Sequence, residues 1–121
     1  MSTINTRDGG TLTTDINDDG KVTIMLEDDL DDMTVTLRQE EGARVTGYMW
    51  QATHRMHRNQ EIIGAELLDG GRILITSHNG DLILEVEAHF RSQTCVVTPE
   101  ELDAFISLII LNIDSLDEAA K

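Results

Sequence analysis

The chain of 121 residues carries 23 acidic residues against 9 basic ones, and this net charge of -14 is the main fact of its composition. A surface so acidic repels nucleic acid and anionic lipid, because binding to phosphate depends on Lys and Arg, and it favours basic proteins or cations as partners. The length fits one domain, residues 1–121, and a hydrophobic fraction of 40% argues against disorder.

The chain also indicates a compartment. Its single cysteine, Cys95, cannot form an internal disulfide, and residues 1–10 lack the apolar segment of a signal peptide. The longest apolar run, residues 105–113, is too short to span a membrane. We therefore expect a cytoplasmic protein without membrane contact, with flexible ends at residues 1–9 and 117–121.

The first third of the sequence predicts a β-meander. Three runs alternate apolar and polar residues with the period of two that is typical of half-buried strands. Acidic turns separate them at residues 17–20 and 28–32. The inward positions are Leu12, Thr14 and Ile16, then Val22, Ile24 and Leu26, then Met33, Val35 and Leu37.

Residues 44–58 are harder to interpret. This basic-aromatic segment holds three arginines, the only Tyr and the only Trp, and no acidic residue. We interpret it as a strand that carries Val45 and Met49 inward. The alternative is a short helix, because Met49, Ala52 and Met56 fall at helical spacing.

The second half predicts more strands. Residues 61–68 and 72–77 are strand-like, and Asn79-Gly80 is a hairpin signal. Residues 94–97 form a short last strand. Between them the longest alternation in the chain predicts one strand with five inward residues, which are Leu82, Leu84, Val86, Ala88 and Phe90.

A helix closes the sequence. Thr98 fits the N-cap, Pro99 the first helical position, and Glu101 completes a capping box. We see no internal repeat. The predicted fold class is α+β, an antiparallel β-meander sheet of six or seven strands with this one C-terminal helix packed on it. Ile106, Ile109 and Ile113 should face the sheet.

The far side of this helix is also apolar. Leu108 and Leu111 would be exposed if one helix lay on one sheet, so we expect either a covering element or a partner. A homodimer or larger assembly through Leu108 and Leu111 is the simplest partner.

The motifs that suggest metal sites are incomplete. Asp15-x-Asn17-x-Asp19-Gly20 resembles the opening of an EF-hand loop, but the twelfth position is Leu26 instead of a bidentate Glu.

The histidines do not indicate a metal or catalytic site either. His54 and His57 have no Cys, Asp or Glu within their segment to complete a ligand set. We therefore interpret them as surface histidines, and we expect no metal, no cofactor and no catalytic site, so the protein is not expected to be an enzyme.

Charge and the basic-aromatic segment together suggest binding. Carboxylates speed the encounter with a basic surface, while Trp, Tyr and Arg dominate binding hot spots. The candidate partner-binding residues are Asp28, Asp29, Asp31, Asp32, Glu40, Glu41, Tyr48, Trp50, Arg55 and Arg58.

Two functions fit this sequence. The first is a small acidic protein that inhibits a basic, nucleic-acid-binding target by occupancy, its carboxylates replacing phosphates. Phage anti-defence proteins such as anti-CRISPRs are an analogy of size and charge only, and an immunity protein for a basic toxin follows the same physics. The alternative is a structural or adaptor subunit that oligomerises through its helix.

Overall fold

The computed structural model describes residues 2–55 and 62–119, which form eight strands, two α-helices and one short 3-10 helix (Gln39–Glu41). The strands of the first half are β1 (Ser2–Asn5), β2 (Thr11–Ile16), β3 (Val22–Glu27) and β4 (Asp32–Leu37), followed by α1 (Gly42–Arg55). Those of the second half are β5 (Ile62–Glu66), β6 (Arg72–His78), β7 (Asp81–Ala88) and β8 (Arg91–Val97), followed by α2 (Pro99–Ala119).

The strands form two antiparallel sheets of four, each in chain order. The α+β class, the meander connections and the C-terminal helix are confirmed. The single sheet of six or seven strands with one helix is wrong, because α1 separates two meanders that do not join. Of the ends that we expected to be flexible, Ser2–Asn5 form β1 and residues 117–119 lie in α2.

Helix α1 occupies residues 44–55 of the segment that we interpreted as a strand, so that interpretation is wrong there and the helical alternative is right, while residues 56–58, with Met56, lie outside the described residues. Val45, Met49 and Ala52 are buried in one row, whereas Gly47 and Trp50 between them are exposed. This spacing of three and four residues is the period of a helix that packs one face on a core.

The order of four strands and one helix occurs twice, so the chain contains a structural repeat that we did not recognise in the sequence. The Asp-Gly-Gly turns at 8–10 and 69–71 share their hydrogen bonds. The amide of Thr6 donates to the carbonyl of Gly10 at 2.9 Å, and that of Leu67 donates to Gly71 at 3.0 Å.

The first residues of the two helices are also alike in the two repeats. The Thr98 amide donates to Oε1 of Glu101 at 2.8 Å, and the Glu101 amide donates back to Oγ1 of Thr98 at 3.1 Å, which confirms the predicted capping box. Before α1, the Arg38 amide donates to Oε1 of Glu41 at 3.0 Å in the same way.

Each helix packs mainly on the sheet of the other repeat. Helix α2 contacts β1, β2 and β3, and Nδ2 of Asn112 donates to Oγ1 of Thr14 at 3.1 Å. Helix α1 contacts β5 and β6, and Nη2 of Arg44 donates to the carbonyl of Glu66 at 2.7 Å. The pair β4–β7 and the pair β3–β8 are also in contact. Such reciprocal contacts are typical of a two-fold dimer interface, here formed within one chain.

The core combines both sheets and both helices. Leu82, Leu84 and Val86 are buried as predicted, as are Ile106 and Ile109, while Ile113 is partly buried against the core. Phe90 is fully exposed at 111%, so its predicted burial is wrong. The strand ends at Ala88, since His89 and Phe90 have φ of 55° and 63° and form the tight turn to β8.

Within the described residues, neither helix combines the length and hydropathy needed to cross a membrane.

Candidate partner-binding surfaces

All six Lys and Arg side chains that the structure describes are paired with carboxylates of the same chain. Lys21 and Arg38 both bind Asp69, at 2.8 and 2.7 Å. The other four pairs are Arg7–Asp81, Arg44–Glu41, Arg72–Glu87 and Arg91–Asp31. These side chains remain 36–64% exposed, so the pairs lie at the surface, and each cation is partly neutralised by a carboxylate of the same chain.

The acidic turn between β3 and β4 contains carboxylates that stabilise the turn and carboxylates that face solvent. Asp28 accepts hydrogen bonds from the amides of Leu30 and Asp31 and from Nε2 of Gln93, and these bonds lower its pKa. Asp31 accepts two bonds from Arg91, whose guanidinium lowers the Asp31 pKa. Asp29 and Asp32 are exposed.

Two apolar side chains project from neighbouring turns. Leu30 is 95% exposed in the β3–β4 turn, and Phe90 is 111% exposed in the β7–β8 turn. The Arg91–Asp31 ion pair joins these turns, and each partner is the chain neighbour of one exposed residue. We call Leu30, Phe90, Asp29 and Asp32 the turn patch. Its exposed apolar pair within an acidic rim is suited to a protein partner.

The two glutamates before α1 also differ in exposure. Glu40 is exposed, whereas the Glu41 side chain is only 2% exposed. The Glu41 carboxylate accepts the amides of Arg38 and Leu68 and pairs with Arg44. Glu41 thus ties α1 to the second sheet, and we leave it out of the partner surface.

The aromatic candidates lie on α1. Tyr48 is partly buried against the core, while Trp50 is 45% exposed and its ring lies 4.6 Å from that of His54. Arg55 ends α1, and Arg58 lies outside the described residues, as does His57.

Trp50 borders a groove between α1 and α2 of about 510 Å³. Ala43, Thr46 and Gly47 line it from α1, and the side chains from α2 are Ile106, Ile110, Ile113, Asp114 and Asp117. Further along the same helix pair, Nε2 of His54 lies 3.4 Å from Oδ1 of Asp103, near Glu100.

The two leucines proposed as an oligomer interface differ in exposure. Leu108 is partly buried, whereas Leu111 is 61% exposed on the outer side of α2. Helix α1 covers the flank with Ile106 and Ile113 and leaves Leu111 uncovered.

The turn that resembles a calcium loop uses its side chains for the hairpin. Oδ1 of Asn17 accepts the amides of Asp19 and Lys21, each at 3.0 Å. Across the described residues, no group of three or more His, Cys, Asp or Glu is placed to hold a metal.

Cys95 is buried beside Thr6, its Sγ 3.5 Å from Oγ1, and burial raises its thiol pKa. A thiol held protonated in this way is a poor nucleophile.

Sequence reasoning missed Leu30, Phe90 and Ile110 as surface residues. A signal existed for Leu30, which is the single apolar residue among the acids of residues 28–32. For Phe90 and Ile110 the signal was the repeat, which places Phe90 at the position of Leu30 and Ile110 at that of Trp50.

Comparison with protein-family models, with curated proteins and with solved structures finds no match to this chain.

Proposed function

We propose that this protein is a small acidic binding protein that inhibits a basic, nucleic-acid-binding protein by occupying its basic surface. The observation that carries the proposal is the internal pairing of all six described Lys and Arg side chains. Because these surface cations are paired within the chain, the net charge of -14 leaves an excess of exposed carboxylates such as Asp29 and Asp32.

Charge and apolar contact have separate roles in this proposal. Carboxylates steer the encounter with a basic surface and make association depend on salt. Leu30 and Phe90 then lose water against the target, which slows dissociation. The turn patch supplies both features at one place, and its apolar residues are almost wholly exposed.

The test begins by recovering proteins on the immobilised chain at low salt. A recovered basic protein is then captured for surface plasmon resonance. Changing both Asp29 and Asp32 to Asn should slow association and flatten its salt dependence. Changing both Leu30 and Phe90 to Ala should mainly speed dissociation.

The matched control changes Asp18 and Asp19 to Asn. This pair removes the same charge from the β2–β3 turn, where both residues are exposed. A target whose association rate is equal for wild type and the Asp29 and Asp32 variant, at low and high salt, contradicts the proposal.

A second candidate function is an adaptor that self-associates through α2, which the exposure of Leu111 favours. In that case light scattering should give a dimer or larger species, and Leu111→Glu should give a folded monomer. A wild-type monomer at high micromolar concentration excludes the adaptor hypothesis.

A further inference from the structure

The groove between α1 and α2 has an apolar centre. Trp50 on α1 and Ile110 on α2 occupy equivalent positions of the two repeats, and both line this groove while remaining 45% and 41% exposed. Ile106 and Ile113 line it beside them. Large apolar side chains that stay half-exposed on two facing helices provide area that a third element would bury.

The floor of the groove is open at Gly47. A Cβ atom built on Gly47 meets no atom within 4 Å, whereas one on Gly42, one and a half turns earlier in α1, lies 2.4 Å from Cδ1 of Ile113. The helices therefore touch near Gly42, whereas Gly47 is exposed and leaves open space beside it. The groove of about 510 Å³ that Gly47 lines is large enough to admit a side chain from outside.

Acidic residues stand at both ends of the helix pair. The helices are antiparallel, because Gly42 at the start of α1 meets Ile113 late in α2, and His54 at the end of α1 meets Asp103 early in α2. Asp114 and Asp117 lie at one end, and Glu100 and Asp103 lie at the other, where His54 and Arg55 end α1. Helix α2 itself carries no Lys or Arg, so the groove is apolar in the middle and has carboxylates of α2 at each end.

We propose that this groove binds an amphipathic helix of a basic protein, with apolar side chains in its middle and Lys or Arg near both of its ends. This inference rests on the proposed function, since it specifies the partner as basic. We choose this occupant because its Lys or Arg residues complement the carboxylates at the ends of the groove. A second copy would bring its own acidic ends against these, and each copy carries a net charge of -14.

Trp50 provides a direct test because it is the only tryptophan of the chain. The probe is a synthetic helical peptide of about 18 residues, with Leu at helical spacing in the middle and Lys at both ends. Binding should shift the Trp50 emission to shorter wavelength, and added salt should weaken it. A peptide with the same Leu residues and Glu at both ends should give no shift.

Two variants locate the binding site. Gly47→Leu should fill the open floor and weaken binding of the Lys peptide by more than about tenfold. The matched control, Leu111→Ala, alters an apolar residue on the outer side of α2 and should leave the affinity unchanged. Changing both Asp114 and Asp117 to Asn should reduce the salt dependence, and circular dichroism checks that each variant is folded.

The inference is overturned if neither peptide shifts the Trp50 emission, if both peptides shift it equally, or if Gly47→Leu binds as wild type does. These outcomes are separate from the test of the proposed function. The peptide titration involves neither the captured target nor the turn patch. A target that still responds to the Asp29 and Asp32 variant then keeps the proposed function while the groove is excluded.

Discussion

Arg91 donates two hydrogen bonds to the carboxylate of Asp31, at 2.7 and 2.8 Å, and the two residues occupy equivalent positions of the two repeats, 60 positions apart. A contact between equivalent positions is what a two-fold axis produces, since each partner then meets its own counterpart. In a dimer of identical halves this site would hold two like residues. Within one chain the two positions are free to differ, and they carry opposite charges.

The first prediction concerns the core face of α2. Ile109 is fully buried, so Ile109→Ala should lower the free energy of unfolding by about 2–5 kcal/mol through lost burial and a cavity. Leu111→Ala on the outer side should change it by at most about 0.5 kcal/mol. Urea denaturation measures both, and equal effects of the two changes contradict the docking of α2 through its Ile109 face.

The second prediction compares two glycines of α1. A Cβ on Gly42 lies 2.4 Å from Cδ1 of Ile113, so Gly42→Ala forces the side chain or the helices apart and should destabilise by about 1–3 kcal/mol. Gly47 has open space, so Gly47→Ala should stabilise by about 0.5–1 kcal/mol by favouring the helix. Thermal unfolding followed by circular dichroism measures both.

A double-mutant cycle provides the control for Gly42. In the background of Ile113→Ala the added methyl group no longer meets Cδ1, so Gly42→Ala should lose most of its cost. If the cost is the same in both backgrounds, contact with Ile113 is not its cause.

The third prediction concerns acid stability. Burial raises the pKa of Asp8, but hydrogen bonds from Oγ1 of Thr6 and the amides of Val96 and Gly10 outweigh it, and the folded-state pKa lies below 3.8. A carboxyl group with a depressed folded pKa adds stability above its unfolded pKa, and this is lost as pH falls through the folded value. Asp8→Asn should therefore show a smaller loss of melting temperature between pH of about 5 and about 2 than wild type does.

Asp29→Asn is the matched control for acid stability. It removes the same charge from an exposed turn position, so its melting temperature should follow pH as wild type does. If Asp8→Asn and wild type lose the same stability in acid, the bonds between Asp8 and β8 contribute nothing to the pH dependence.

The fourth prediction concerns the packing of each helix on the sheet of the other repeat, which we call the exchange of helices. A fragment of residues 1–60 keeps the first sheet but lacks α2, which contacts β1, β2 and β3. We expect neither this fragment nor residues 61–121 to unfold cooperatively as a monomer, and we expect an equimolar mixture to form a complex that does. Light scattering and circular dichroism report this, and a folded, monomeric fragment 1–60 contradicts the exchange.

Local signals predicted the parts of the fold that depend on neighbouring residues. The alternation of Val22, Ile24 and Leu26 is buried as expected, because each strand has one face on a core. The capping box of Thr98 and Glu101 formed because its two hydrogen bonds join residues only three positions apart. Trp50, which we named as a candidate partner-binding residue from its residue type and basic neighbourhood, is 45% exposed.

Features that depend on distant contacts were not predicted. The alternation through Phe90 continued past the real end of β7, because His89 and Phe90 form a turn without the glycine that normally marks one. The division into two sheets depends on which faces α1 and α2 cover, and no local pattern encodes that choice. The repeat was not recognised because the two halves are more alike in turn positions and in burial pattern than in residue identity. The groove depends on side chains from both helices, so no single segment indicates it.

The exchanged helices have a consequence for synthesis on the ribosome. Asn112 and Thr14 are bonded across 98 positions, so the face of the first sheet under α2 stays uncovered until nearly the whole chain has emerged. At a translation rate of roughly 10 residues per second, this interval is about ten seconds. Contacts of such long range also slow folding, and an uncovered apolar sheet is a substrate for chaperones. We therefore expect the nascent chain to be most prone to aggregation before the last helix is made.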